Sequence, residues 1–167
     1  LVPDAARRIN HAMADEPIWD VLKRDHDAVA AIIDAMCSAD EAGARALLTR
    51  LDCELTAHTR AEEAVFHGRL IHQERAQPLV LDGLEDHRRI HATIAELELL
   101  PAGDDKWAAR ISALGEAVRN HFKAEEEALF PLAREVMSDI QASDVAARYL
   151  SERARIAADL SCLAAPS

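Results

Sequence analysis

The chain has 167 residues, half of them hydrophobic and 29% charged, which suits one buried core and not a disordered tail. Thirty acids against 19 Lys and Arg leave a net charge of -11, which argues against a nucleic-acid grip and against an anionic membrane surface. With only five glycines, six prolines and 4% aromatics, the composition favours helix over sheet.

Residues 1–16 read as an irregular arm, with Pro3 and Pro17 near its two ends. A first helix is predicted from about Ile18 to Cys37, with Trp19, Leu22, His26, Val29, Ile33 and Met36 on one stripe at steps of three and four. Residues 38–43 break it, and a second helix runs to about His72 with the stripe Leu48, Leu51, Leu55, His58, Glu62, Val65. After a break at 73–78, a third helix covers about Leu79 to Leu100, its stripe carrying Val80, Leu84, His87, His91 and Ile94. Residues 101–105 form a turn with an aspartate placed to cap the next helix. That fourth helix presents Trp107, Ile111, Leu114, Val118, His121, Glu125, Ala128 and Leu132, and Pro131 should kink its end. A weaker break at 138–144 precedes a last helix from about Val145 to Leu163.

These elements predict an all-α chain. An up-down-up-down four-helix bundle occupies 17–137, preceded by the arm 1–16 and followed by a helical extension, 138–167. Each stripe is apolar at its ends and polar in its middle, and the polar residues are His and Glu, both metal-ligand types. In an antiparallel bundle, residues at one height lie symmetrically about each loop. The midpoints between successive polar patches fall near residues 43, 74 and 106, within or beside the three breaks. The four patches should therefore meet in one layer.

That layer offers His26, His58, His87, His91 and His121 with Glu62 and Glu125. Ligands at i and i+4 lie one turn apart on one helix face, about 6 Å along the axis, so a pair can share one metal or bridge two. Seven donors exceed one tetrahedral zinc and suit two metals. Imidazoles with some oxygen ligands suit iron, with zinc, manganese or copper as competitors. The other histidines read as ordinary. His67 comes nine residues after His58, on the opposite face of a straight helix; His72 lies near a loop and His11 in the arm. Glu63, Glu126 and Glu127 should point sideways into solvent, with Glu126 a fallback ligand. Cys37, Cys53 and Cys162 are far apart, without a CxxC pair. Each is expected as a small buried hydrophobe in a reducing, cytoplasmic setting. No apolar run reaches a membrane-span length and the first residues carry no signal-peptide pattern.

Asp25-His26, His58-x3-Glu62, His87-x3-His91 and His121-x3-Glu125, with the segments HTRAEEAVF (58–66) and HFKAEEEALFP (121–131), resemble the hemerythrin-like, or HHE cation-binding, domain over about Ile18 to Leu132. The resemblance implies a non-haem di-iron site. His87, His91 and His121 would hold one iron, and His26 and His58 the other. Glu62 and Glu125 would bridge them with an oxo or hydroxo group. Oxygen-carrying hemerythrins bridge from the fourth helix with an aspartate one residue later, where this chain has Glu126; Glu125 matches the form common in bacterial relatives.

The expected function is O2 binding, as carrier, store or sensor, with O2 or nitric oxide as the small ligand, rather than catalysis. The alternatives are a nitric-oxide- or peroxide-handling or iron-sulfur-repair di-iron protein, which would make it an oxidoreductase, and a structural metal-binding bundle. The iron held by His26 and His58 would keep an open position, in a small dry pocket near Trp19, Leu22, Val29 and Val65. A homodimer through the C-terminal helix is a further expectation.

Overall fold

Among the described residues the apolar stripes fold as five helices; Asp40 and the Pro101 to Asp104 turn mark two of the breaks, whereas 71–76 and 137–138 hold no Pro, Gly or Asp. The computed structural model describes residues 16–101 and 104–164, without the side chains of Asp105 and of residues 161–164. The arm, apart from Glu16, lies outside the described residues, as do His11 and the side chain of Cys162. Helix α1 spans Ile18–Ser38. Helix α2 spans Glu41–Glu62 and runs on through a π turn at Glu63–His67 into a last α-turn, Gly68–Leu70. Helix α3 spans Gln77–Leu99. Helix α4 spans Asp105–Ala124 and continues through a second π turn, Glu125–Leu129, into Phe130–Val136. Helix α5 spans Asp139–Ala164, starting earlier than the predicted Val145.

Local chemistry sets these ends. The Asp40 carboxylate accepts from the Gly43 N–H at 2.8 Å, and Asp104 accepts from the Lys106 N–H at 2.8 Å, each satisfying a first-turn donor. A π turn lies just before Pro131, where a kink was expected, but the same turn forms at Glu63–His67 with no proline after it. The Phe130 N–H reaches back five residues to the Glu125 carbonyl instead of four.

Helices α1 to α4 form a ring in which each packs against its two neighbours, and α5 lies over α1, α2 and the first π turn. The core divides into two apolar clusters. One holds Val29, Ile33, Leu51, Leu55, Ile90, Ile94, Trp107 and Leu114; the Trp107 indole N–H is satisfied by the Leu97 carbonyl at 3.2 Å. The other holds Ile18, Trp19, Leu22, Phe66, Leu70, Val80, Phe130 and, from α5, Val145, Ala146 and Tyr149. Between them lies a layer of buried His and Glu.

Two expectations fail here. Cys37 and Cys53 are exposed free thiols rather than buried hydrophobes, because both sit on outward faces of α1 and α2. His67 is not a surface residue: it is buried, 2% exposed. The 100° step holds only for a straight α-helix, and the π turn takes in one extra residue, so a residue five beyond Glu62 returns to the inward face. His72 is exposed, as expected. No described helix is long and apolar enough to cross a membrane.

Candidate metal centre

Six of the seven residues picked from the sequence converge. His26 comes from α1, His58 and Glu62 from α2, His87 from α3, and His121 with Glu125 from α4 and its π turn; all are at most 3% exposed. One ligand atom each of Glu62, His87, His121 and Glu125 lies within 4.8 Å of the others. His58 Nε2 is 3.6 Å from Glu62 Oε2, and His26 Nε2 is 3.3 Å from Glu125 Oε2. Across the layer, His87 Nε2 is 3.6 Å from Glu62 Oε2 and His121 Nε2 is 3.5 Å from Glu125 Oε1. Each carboxylate thus stands between imidazoles of both pairs.

His91 does not join them. Its side chain is 31% exposed, its Nε2 pairs with the Thr59 hydroxyl at 3.0 Å, and its Nδ1 lies 4.0 Å from Asp52. It stands at the edge between α2 and α3, held there by Thr59 and near Asp52, both on α2.

The outward ring nitrogens are held by a second set of polar groups. His26 Nδ1 donates to Glu126 Oε1 at 2.9 Å, and His87 Nδ1 donates to Glu63 Oε1 at 2.8 Å. His58 Nδ1 donates to the Tyr149 hydroxyl at 2.8 Å, which itself donates to Asp25 Oδ2 at 2.5 Å. Arg153 then ties Asp25 to Glu54, with Nε 2.8 Å from Asp25 and Nη2 2.6 Å from Glu54. His121 Nδ1 faces Asp86 at 3.8 Å. Donation from Nδ1 leaves the Nε2 lone pair free and aimed at the centre. Glu63 and Glu126 therefore do not simply point into solvent. The sequence reading also missed Tyr149, whose helix carries no His-x3-Glu pattern to flag it.

Several inward atoms are left bare. His26 Nε2, His58 Nε2, both Glu62 oxygens and Glu125 Oε2 are buried with no hydrogen-bond partner among the described residues. So many orphaned acceptors converging on one point are costly unless a cation sits among them. His87 Nε2 and His121 Nε2 are 3.0 Å apart. That is hydrogen-bond range if His121 Nε2 carries the proton, and it is also the spacing of two imidazole nitrogens each ~2.1 Å from one metal at right angles, about 3.0 Å. The donor set fits metal ions.

Electrostatics agree. Burial pushes the His58 imidazole down to about 4 and His121 to about 3, so both are neutral donors at neutral pH. Burial and the nearby Glu125 charge raise the Glu62 carboxyl well above its usual range. Glu125 is held well below it, its burial outweighed by the neighbouring His121, His26 and His67 imidazoles. Without a cation the carboxylate pair is unbalanced, and Glu62 keeps the proton.

The class defined by this geometry is a helical bundle with a buried His and carboxylate layer for cations. The family model for the hemerythrin HHE cation-binding domain matches residues 18–133. The chain belongs to that family. Comparisons with curated proteins and with solved structures gave no match. The family match stops before α5, so the Tyr149, Asp25 and Arg153 chain joins the matched bundle to a helix beyond it.

Proposed function

We propose that this chain holds two iron ions in the layer and binds dioxygen reversibly, as carrier, store or sensor. Glu62 and Glu125, which stand between the two imidazole pairs, would serve both metal positions, with His26 and His58 holding one and His87 and His121 the other. The observation that supports this reading is the donor set, in which buried imidazoles outnumber carboxylates. Carboxylate-rich sites built on Glu-x-x-His belong to the oxidase type, and that motif is not arrayed here. When bound, the iron supplies the redox-active, gas-binding centre.

The protein's own residues set access and polarity. A surface cavity of about 220 Å³, lined by His26, Ala30, Phe122 and Glu126 with Arg119 and Lys123 at its rim, opens beside the His26 ring. Phe122 stacks on His26 with centroids 3.8 Å apart, and Phe130 lies 5.9 Å away. Leu22 is fully buried in the same apolar cluster as Phe130, so apolar side chains back the His26 and His58 side. A diatomic gas fits such an environment, and a large organic substrate does not.

The test is metal analysis of protein purified without chelator, followed by optical spectra of the reduced form before and after air. Two irons per chain and a visible band that reverses on deoxygenation are expected. Two irons that oxidise irreversibly would replace this reading with nitric-oxide or peroxide handling or iron-sulfur repair. Zinc, or no metal, would reduce the site to a structural one.

A further inference from the structure

We propose that His67 is a metal ligand of this site, supplying a third imidazole beside His87 and His121 and making the two metal positions unequal. This rests on the two-metal reading above, and it gives His67 the place that sequence spacing assigned to His91. His67 Nε2 lies between the two carboxylates, 3.3 Å from Glu125 Oε1 and 3.9 Å from Glu62 Oε1. Its ring stacks on His87, with centroids 5.5 Å apart and planes 14° from parallel. Its other nitrogen, Nδ1, is buried without a partner among the described residues, so no outer group claims this imidazole.

The space for the ring is built into α3. Gly83 is a buried glycine inside a helix, a choice that costs about 1 kcal/mol against alanine. A Cβ there would stand 3.3 Å from His67 Cε1 and 3.8 Å from both Glu125 Oε1 and His121 Cε1. Room for His67 offsets that cost.

Comparison of the two halves of the bundle shows what is particular to this side. His58-x3-Glu62 and His121-x3-Glu125 each lead into a π turn, and five residues after the glutamate stand His67 in one half and Phe130 in the other. Four residues before the helical histidine stand Gly83, ahead of His87, and Leu22, ahead of His26. One half pairs a glycine with an imidazole; the other pairs two large apolar side chains, both in one core cluster. The polar half can supply its metal with a third imidazole, while the apolar half would leave a metal at His26 and His58 with fewer protein ligands.

Cobalt(II) titration of the metal-stripped protein, monitored by visible absorption, tests this. Two equivalents should bind to the unaltered protein. His67→Leu should weaken one of them at least tenfold and change its bands, and His91→Ala should leave both unchanged. Gly83→Ala, which crowds the ring without removing a donor, should weaken the same equivalent, and His67→Gln provides a check if the leucine variant does not fold. Two wild-type equivalents with unaltered spectra in folded His67→Leu or His67→Gln would overturn the proposal while leaving the two-metal reading intact. Failure of the unaltered protein to bind cobalt would overturn both.

Discussion

The inward-facing imidazoles differ in what grips them from behind. His26 and His87 lean on partly exposed carboxylates, Glu126 and Glu63, whereas His58 leans on a buried tyrosine. Outer groups of this kind usually change metal affinity 10–100-fold without changing stoichiometry. Glu126→Gln should therefore retain two metals per chain but bind them about tenfold more weakly in a competition titration with a chelator. Glu125→Gln removes an inward oxygen and should lower the stoichiometry itself, measured as metal per chain after gel filtration. The reverse outcome, with stoichiometry lost in Glu126→Gln and retained in Glu125→Gln, would show that Glu126, not Glu125, faces the metal. His121→Ala should lose metal and lower the melting temperature, since it removes a donor common to several contacts in the layer.

Two elements carry information that a 3.6-residue period does not contain. The straight-helix reading placed seven residues at one height, and six of them meet there; His91, also on plain α-helix, turns to Thr59 and Asp52 instead. The reading failed for His67 because a wide turn intervenes. Two signs were available in the chain: Gly83 four residues before His87, and the repeated HTRAEEAVF and HFKAEEEALF segments, which invite a comparison of the residues beyond each glutamate. Tyr149 was illegible because its role depends on where α5 docks, and helix docking is set by packing and not by local pattern. That docking makes α5 part of the site. Tyr149→Phe keeps the buried ring and deletes only the hydroxyl between His58 and Asp25, so it should preserve the helical circular-dichroism signal while weakening metal binding roughly 10- to 100-fold. An unchanged affinity would reduce α5 to a packing element.

For the molecule as a whole, a charged layer separates two apolar clusters, and removal of metal exposes its cost. In the stripped protein Glu62 holds a proton that the unfolded chain has already released above its ordinary range, so rising pH works against the folded state through this group. His58 and His121 act in the opposite sense lower down: the unfolded chain takes up protons below about 6.5, and these buried rings resist until about 4 and 3, so stability falls on acidification. Metal needs the deprotonated carboxylate and neutral rings, and protons compete with it. The gap in melting temperature between metal-loaded and chelator-treated protein should widen steadily from about pH 5 to pH 8. A gap that is constant or shrinks over that range would show that Glu62 does not release a proton on metal binding.

The π turns have a consequence for chain length. Each stores one residue more than a straight helix would need to bring the same side chains to the same places. Deletion of the exposed Ala64 would turn Glu62-x4-His67 into a four-residue spacing, which an ordinary α-helix also keeps on one face, and Leu70 beyond it would stay in the core. Deletion of the exposed Glu127 would do the same ahead of Phe130. Removal of one residue from the straight part of α2, at exposed Arg50 for example, has no such reserve and would rotate one end of the helix by about 100° against the other. The two wide turns are thus the places in these helices where the chain can be shortened by one residue with its metal-facing side left in register.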